Sequence, residues 1–137
     1  MVDVGFANVA GLLLTDIGGT AYDYMAIGEG VTGEDHADVE METQVGIRMS
    51  GALCVGTRVT SGGITNNTAQ WVATFSKAND GTLTGFTTDV TEIGIFYNAA
   101  GVTVSMLMHQ TFAAETMDWD AGDSIEFTVK VQVKQGT

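Results

Sequence analysis

Two histidines, one cysteine and seventeen carboxylates are the side chains through which this sequence could do chemistry. Asp118-Trp119-Asp120-Ala121-Gly122-Asp123 gathers three of those carboxylates around one turn, and hard cations such as calcium take oxygen ligands from short acidic loops. The spacing is not that of an EF-hand, so Asp118, Asp120 and Asp123 form a weak cation candidate. The plainer reading is a solvated turn entering a strand, with Trp119 packed on the edge of the fold. Glu34, Asp35, Asp38, Glu40 and Glu42 make the densest acidic stretch, with His36 inside it. Such a stretch could hold a cation or present a negative patch to a partner, but charge runs are usually solvated faces, and a solvated, mobile loop is expected.

Gly28-Glu29-Gly30-Val31-Thr32-Gly33 matches the spacing of a dinucleotide-binding loop, in which backbone N–H groups at a helix start approach pyrophosphate. Glu29, Glu34 and Asp35 would repel that anion and no helix is expected to follow, so the stretch reads as a glycine loop between strands. Neither His36 nor His109 lies near a serine or cysteine in a nucleophile motif, and carboxylate pairs discriminate nothing in so acidic a chain. The expectation is a protein that is not an enzyme and uses no cofactor. His109 reads as a surface or interface residue. Cys54 reads as a small buried apolar residue, Asn66-Asn67-Thr68 is a glycosylation sequon or a polar turn, and the methionines read as fillers of irregular core gaps.

The background to these residues is a net charge of −12, with seventeen acidic side chains against five basic ones, Arg48, Arg58, Lys77, Lys130 and Lys134. Gripping a phosphate backbone takes several clustered cations, so neither nucleic acid nor an anionic membrane is an expected partner. An acidic surface also suits concentrated salt, where screening shortens electrostatic repulsion to a few Å, and a halophilic host is inferred. Apolar residues make up 45% of the chain and charged ones 16%, a balance that folds rather than stays disordered. The apolar run around Gly11 to Leu14 is far shorter than the ~18 residues that span a bilayer, and no basic region precedes it. Synthesis in a host cytoplasm without signal peptide or anchor is expected.

Positioning would fall to strands and tight turns. At 137 residues one domain over 1–137 is expected, and eighteen glycines without a proline imply turns built on Gly, Asn and Asp. Ser124 to Lys134 alternates Ile125, Phe127, Val129, Val131 and Val133 with polar residues, which predicts a strand with one core face. Val90 to Gln110 predicts a hairpin around Asn98–Gly101, with Ile93, Ile95 and Tyr97 before the turn and Val102, Val104, Met106 and Met108 after it. Trp71, Ala73 and Phe75 predict another strand, paired across Gly62-Gly63 with the region Ile47 to Ser61. Tyr22 to Ile27 gives a shorter one. Val4 to Leu14 predicts a short helix, and Asp38 to Val45 reads equally as a helical turn or an edge strand. The fold class expected is all-β: a single antiparallel β-sandwich or barrel-like domain with at most one short N-terminal helix.

Four stretches, in order, carry a resemblance: Tyr24-Met25-Ala26-Ile27-Gly28-Glu29-Gly30-Val31-Thr32, Val90-Thr91-Glu92-Ile93-Gly94-Ile95-Phe96, Met106-Leu107-Met108-His109-Gln110-Thr111-Phe112, and Ala121-Gly122-Asp123-Ser124-Ile125. In this order they resemble small virion surface proteins of tailed bacteriophages and archaeal tailed viruses, of the head decoration or cement type and related to tail-fibre domains. The chain departs from that pattern with His109 where an arginine is usual and with its acidic stretch from Glu34 to Glu42. The resemblance implies a capsid decoration protein that binds the outside of the lattice of the major capsid protein and stabilises the head, as a homotrimer on the virion surface. Apolar residues Val4, Phe6, Leu12, Leu13 and Leu14 are the expected capsid or subunit interface, unless they are buried in the chain's own core. The same strand order would suit a tail, baseplate or tail-fibre component. A host-surface carbohydrate-binding module would need exposed aromatics, for which Trp119 and Tyr97 are the candidates.

Overall fold

A computed structural model describes Ala10 and residues 21–35, 37–38, 40–99 and 106–134. Among these residues the chain forms strands β1 (Tyr24–Gly28), β2 (Gln44–Met49), β3 (Cys54–Ser61), β4 (Ile64–Ser76), β5 (Thr87–Phe96), β6 (Met106–Asp118) and β7 (Ser124–Gln132). Short 3-10 turns occupy Gly51–Leu53 and Trp119–Ala121. The strands make two antiparallel sheets, sheet A in the order β2-β1-β5-β6 and sheet B in the order β3-β4-β7. The all-β sandwich expected from alternation is the architecture found. No helix among the described residues is long and apolar enough to cross a membrane.

Period-two alternation sets the core. Met25 and Ile27 of β1 and Val90, Ile93 and Ile95 of β5 meet Ala69, Trp71, Ala73 and Phe75 of β4, all buried in one cluster. Ile125, Phe127, Val129 and Val131 of β7 pack against the same cluster, as their spacing predicts. β7 runs beside β4 with Ser76 opposite Ser124 and Thr68 opposite Gln132. Ala10 also lies fully buried in this core, while Val4, Phe6, Leu12, Leu13 and Leu14 lie outside the described residues.

Two predicted pairings come out differently in detail. The stretch Ile47 to Ser61 does not act as one partner for β4. Cys54–Ser61 pairs with β4 across Gly62-Gly63, but Ile47 to Met49 belongs to β2 in the other sheet, and the 3-10 turn Gly51–Leu53 separates the two roles. Gly62 and Gly63 have φ of +62° and +78°, the positive values that a two-residue hairpin turn with the strands' own twist requires. The predicted pairing of β5 with β6 is present, with Ile95 opposite Met108, although residues 100–105 of the connection lie outside the described residues. The segment Asp38 to Val45 is irregular until β2 begins at Gln44.

Sheet A is covered on both faces. Its outer face carries Ala26 and Phe96, and Met41 from the segment joining β1 to β2 packs on them with Tyr24 and Met106. This explains why β5 is buried at every residue from Val90 to Phe96, on both sides of its alternation. The two outer strands of sheet A each have an amide capped by a carboxylate. Ile47 N–H of β2 donates to Asp80 Oδ2 at 2.8 Å, and Thr111 N–H of β6 donates to Glu34 Oε1 at 2.7 Å. Capping of this kind blunts the hydrogen-bonding edge that a bare strand offers to other chains.

Candidate functional site

β5 places Glu92 on the outer face of sheet A, where an uncovered strand would leave it in water. Beneath the β1–β2 segment it is fully buried. Glu92 Oε1 accepts from Gly30 N–H at 3.0 Å and Thr43 N–H at 2.8 Å, and Oε2 accepts from Glu42 N–H at 3.2 Å and lies 2.8 Å from His109 Nε2. A buried carboxylate is tolerable only with such a set of donors, because desolvation otherwise costs several kcal/mol. Thr91 adds a further tie, its hydroxyl donating to Gly30 O at 2.7 Å.

The glycine loop is shaped by this carboxylate. A Cβ on Gly28 would collide with Glu92 Oε1 and the Thr43 carbonyl, and one on Gly30 would stand 2.5 Å from Glu42 Cβ and 2.7 Å from Glu92 Cδ. Glycines at this spacing bring backbone N–H to an anion, as the motif's mechanism requires, but the anion is the chain's own Glu92 rather than a phosphate.

His109, expected at the surface or in an interface, has a side chain only 5% exposed. Alternation does direct it outward from β6, but outward here means under the acidic segment. Its Nδ1 lies 2.7 Å from Asp38 Oδ2, so the ring is held between two carboxylates, one fully buried and one with 28% of its side chain exposed. A neutral imidazole has a single N–H and can satisfy only one of them, whereas the imidazolium donates to both. Burial alone would lower the His109 pKa, but the hydrogen bonds and charges of Asp38 and Glu92 outweigh it and the value is raised. Asp38 is held below its ordinary value by the Asp35 N–H and then by His109. The Thr111 N–H lowers Glu34, and the Thr32 N–H lowers Glu42.

The acidic stretch is therefore not a free solvated loop at Glu34, Asp38 and Glu42. Glu34 bonds β6, Asp38 bonds His109, and Glu42 Oε2 accepts from Thr32 N–H at 2.8 Å. Chemically, the arrangement keeps a proton-bearing ring between a strand and the segment laid over it.

The other sequence candidates lie apart from this cluster. Asp118 caps its own turn by accepting from Ala121 N–H, and Asp123 accepts from Asp118 N–H. Asp120 reaches the β4–β5 loop, bonding Lys77, Thr84 and Gly85, and Lys77 foremost depresses its pKa to about 2. Among the described residues, no group of three or more His, Cys, Asp and Glu side chains is placed to hold a metal ion. Trp119 is fully buried, and its Nε1–H donates to Thr88 Oγ1 at 2.8 Å, so it is no platform for a sugar. Tyr97 is half-buried and stands edge-to-face with Tyr22.

Arg48, counted among the five cations, is buried against the ring of Phe96. Asn67 is buried, with Oδ1 accepting from Ser61 N–H and from the Thr68 hydroxyl, so two sequon residues serve the hairpin interior. Cys54 is buried as expected, and burial pushes its thiol up to about 12. His36 lies outside the described residues.

Sequence reasoning missed Glu92, although a signal was present. In Thr91-Glu92-Ile93-Gly94-Ile95-Phe96 apolar residues occupy both parities around the glutamate, which marks a strand covered on two faces and a carboxylate with nowhere to meet water. Compared with known proteins, the chain matches no family model, and no curated protein or solved structure is significantly similar to it.

Proposed function

We propose that this chain is a structural protein of a tailed virus particle, a head decoration protein that binds the outside of the major capsid lattice and acts by assembly rather than catalysis. The observation that carries the reading is where the resemblance-bearing stretches fall. Three of the four converge on one buried cluster: Gly28 and Gly30 from the first, Glu92 from the second and His109 from the third. The fourth forms the turn that launches β7. Glu92 and His109 bond the chain's own backbone amides and carboxylates, so the cluster acts as an internal lock of the fold. His109 occupies the position where arginine is usual, and it performs the task a guanidinium could perform, donating to two carboxylates.

In this reading each copy contributes modest contact area to a capsid lattice, as a homotrimer, and many symmetric copies together stiffen the shell. Mass spectrometry of purified particles with copy-number determination tests it. Hundreds of copies per particle, with cryo-electron microscopy density on the head, are the expected result. A few to tens of copies with density on the tail would replace the cement role with a tail component. Absence from purified particles would end the virion reading.

A further inference from the structure

We propose that His109 is a proton-operated latch that holds the acidic segment bearing Glu34 and Asp38 against the β6 edge, and that loss of the ring proton opens it on the segment side only. The geometry sets that direction. Both ring nitrogens face carboxylate oxygens, Nε2 toward Glu92 at 2.8 Å and Nδ1 toward Asp38 at 2.7 Å. When one proton leaves, one of these contacts becomes a ring lone pair facing an anion, which repels. Glu92 is fully buried and loses more from a missing donor than Asp38, whose side chain is 28% exposed and can turn to water. The remaining proton therefore stays on Nε2, and Asp38 is the partner released.

The charged surroundings favour the same sequence. From β5 the ring faces Glu92, and from the acidic segment it faces Asp38, with Glu34 and Asp35 lining the same hollow. Glu42, at the base of the segment, also feels the ring's charge. With the imidazolium gone, carboxylates remain on both sides of a neutral ring. The base of the segment stays anchored, because Gly30, Glu42 and Thr43 N–H still hold Glu92. Its tip does not, and the Glu34 contact that caps Thr111 N–H on the sheet edge is released with Asp38.

The test is nuclear magnetic resonance of the full chain across about pH 5–9, following the His109 ring and the hydrogen exchange of two amides. His109 is expected to titrate above the ordinary imidazole value of about 6.5 and to carry its proton on Nε2 when neutral. Thr111 protection, corrected for intrinsic base catalysis, should fall at least ~10-fold through the His109 midpoint, while Ala73 in the middle of β4 keeps its protection. Asp38→Asn should move the midpoint down and carry the Thr111 transition with it. His109→Gln should leave Thr111 rapidly exchanging at every pH; should that variant fail to fold, Asp38→Asn decides. Thr111 protection that is flat through the ring's titration, a neutral ring protonated on Nδ1, or an Asp38→Asn midpoint unchanged from the parent would overturn the latch.

Discussion

A carboxylate in the middle of a doubly covered strand survives only if every lone pair it presents finds a donor, and Glu92 meets that demand with three backbone amides and His109. Glu92→Gln keeps the shape but turns an NH₂ toward groups that also donate. It should lower stability by about 2–3 kcal/mol, read as a shift of the urea midpoint at unchanged slope. The titrating neighbours fix the pH dependence. His109 is raised, so its contribution is complete below about 6.5 and is lost as pH rises through the raised value. Glu34, Asp38 and Glu42 are lowered, so theirs is complete above about 4.5 and is lost as pH falls through the lowered values. Urea midpoints should therefore be highest between roughly pH 4.5 and 6.5 and decline on both sides; a midpoint still rising at alkaline pH would contradict the charged His109. At this scale the sequence showed which residues were chemically capable but not which of them met. His109 and Glu92 lie on neighbouring strands, yet Asp38 reaches them only through a segment whose path has no periodicity to read.

Strands were the legible elements, because alternation is a local property. Ile125 to Val131 and the Trp71-Ala73-Phe75 row announced their core faces, and the Gly62-Gly63 turn announced its hairpin. Sheet membership was less visible. β2 and β3 are adjacent in sequence and similar in composition, and only the break at Gly51–Leu53 sends them to different sheets. Burial on a second face was not visible either, since Met41 covers Phe96 from a stretch dominated by acidic residues. The turn Trp119–Ala121 shows the same limit: its carboxylates suggested a solvated loop, but its indole is a core element bridging β5 and the entry to β7. Trp119→Ala should cost about 3–5 kcal/mol through the cavity and the orphaned Thr88 hydroxyl, measurable as a lowered thermal midpoint. Retained stability with loss of glycan binding would restore the sugar-platform reading.

For the whole molecule, a charge of −12 on a chain of 137 residues makes self-repulsion a global term that salt removes. We propose a halophilic setting on this basis. Thermal midpoints should climb steadily from dilute buffer to about 1 M KCl, where the Debye length is near 3 Å, and should exceed those in sucrose of equal osmolality; full stability in dilute buffer would remove the high-salt inference. The assembly reading adds a surface prediction. Leu53 and Val55 are exposed beside Val72 on the outer face of sheet B, so Val55→Glu should leave the unfolding free energy within about 0.5 kcal/mol of the parent while reducing the copies retained on purified particles. The pairing of β4 with β7 has a consequence for biosynthesis. Since Ser76 lies opposite Ser124, the central strand of sheet B has its second neighbour only after β5, β6 and the Trp119 turn have left the ribosome. Until then the β3–β4 hairpin offers Trp71 and Phe75 without a closing partner. A nascent chain thus passes through a stage in which this apolar row is uncovered, and stalled chains ending before Ser124 should be digested by protease where longer ones resist.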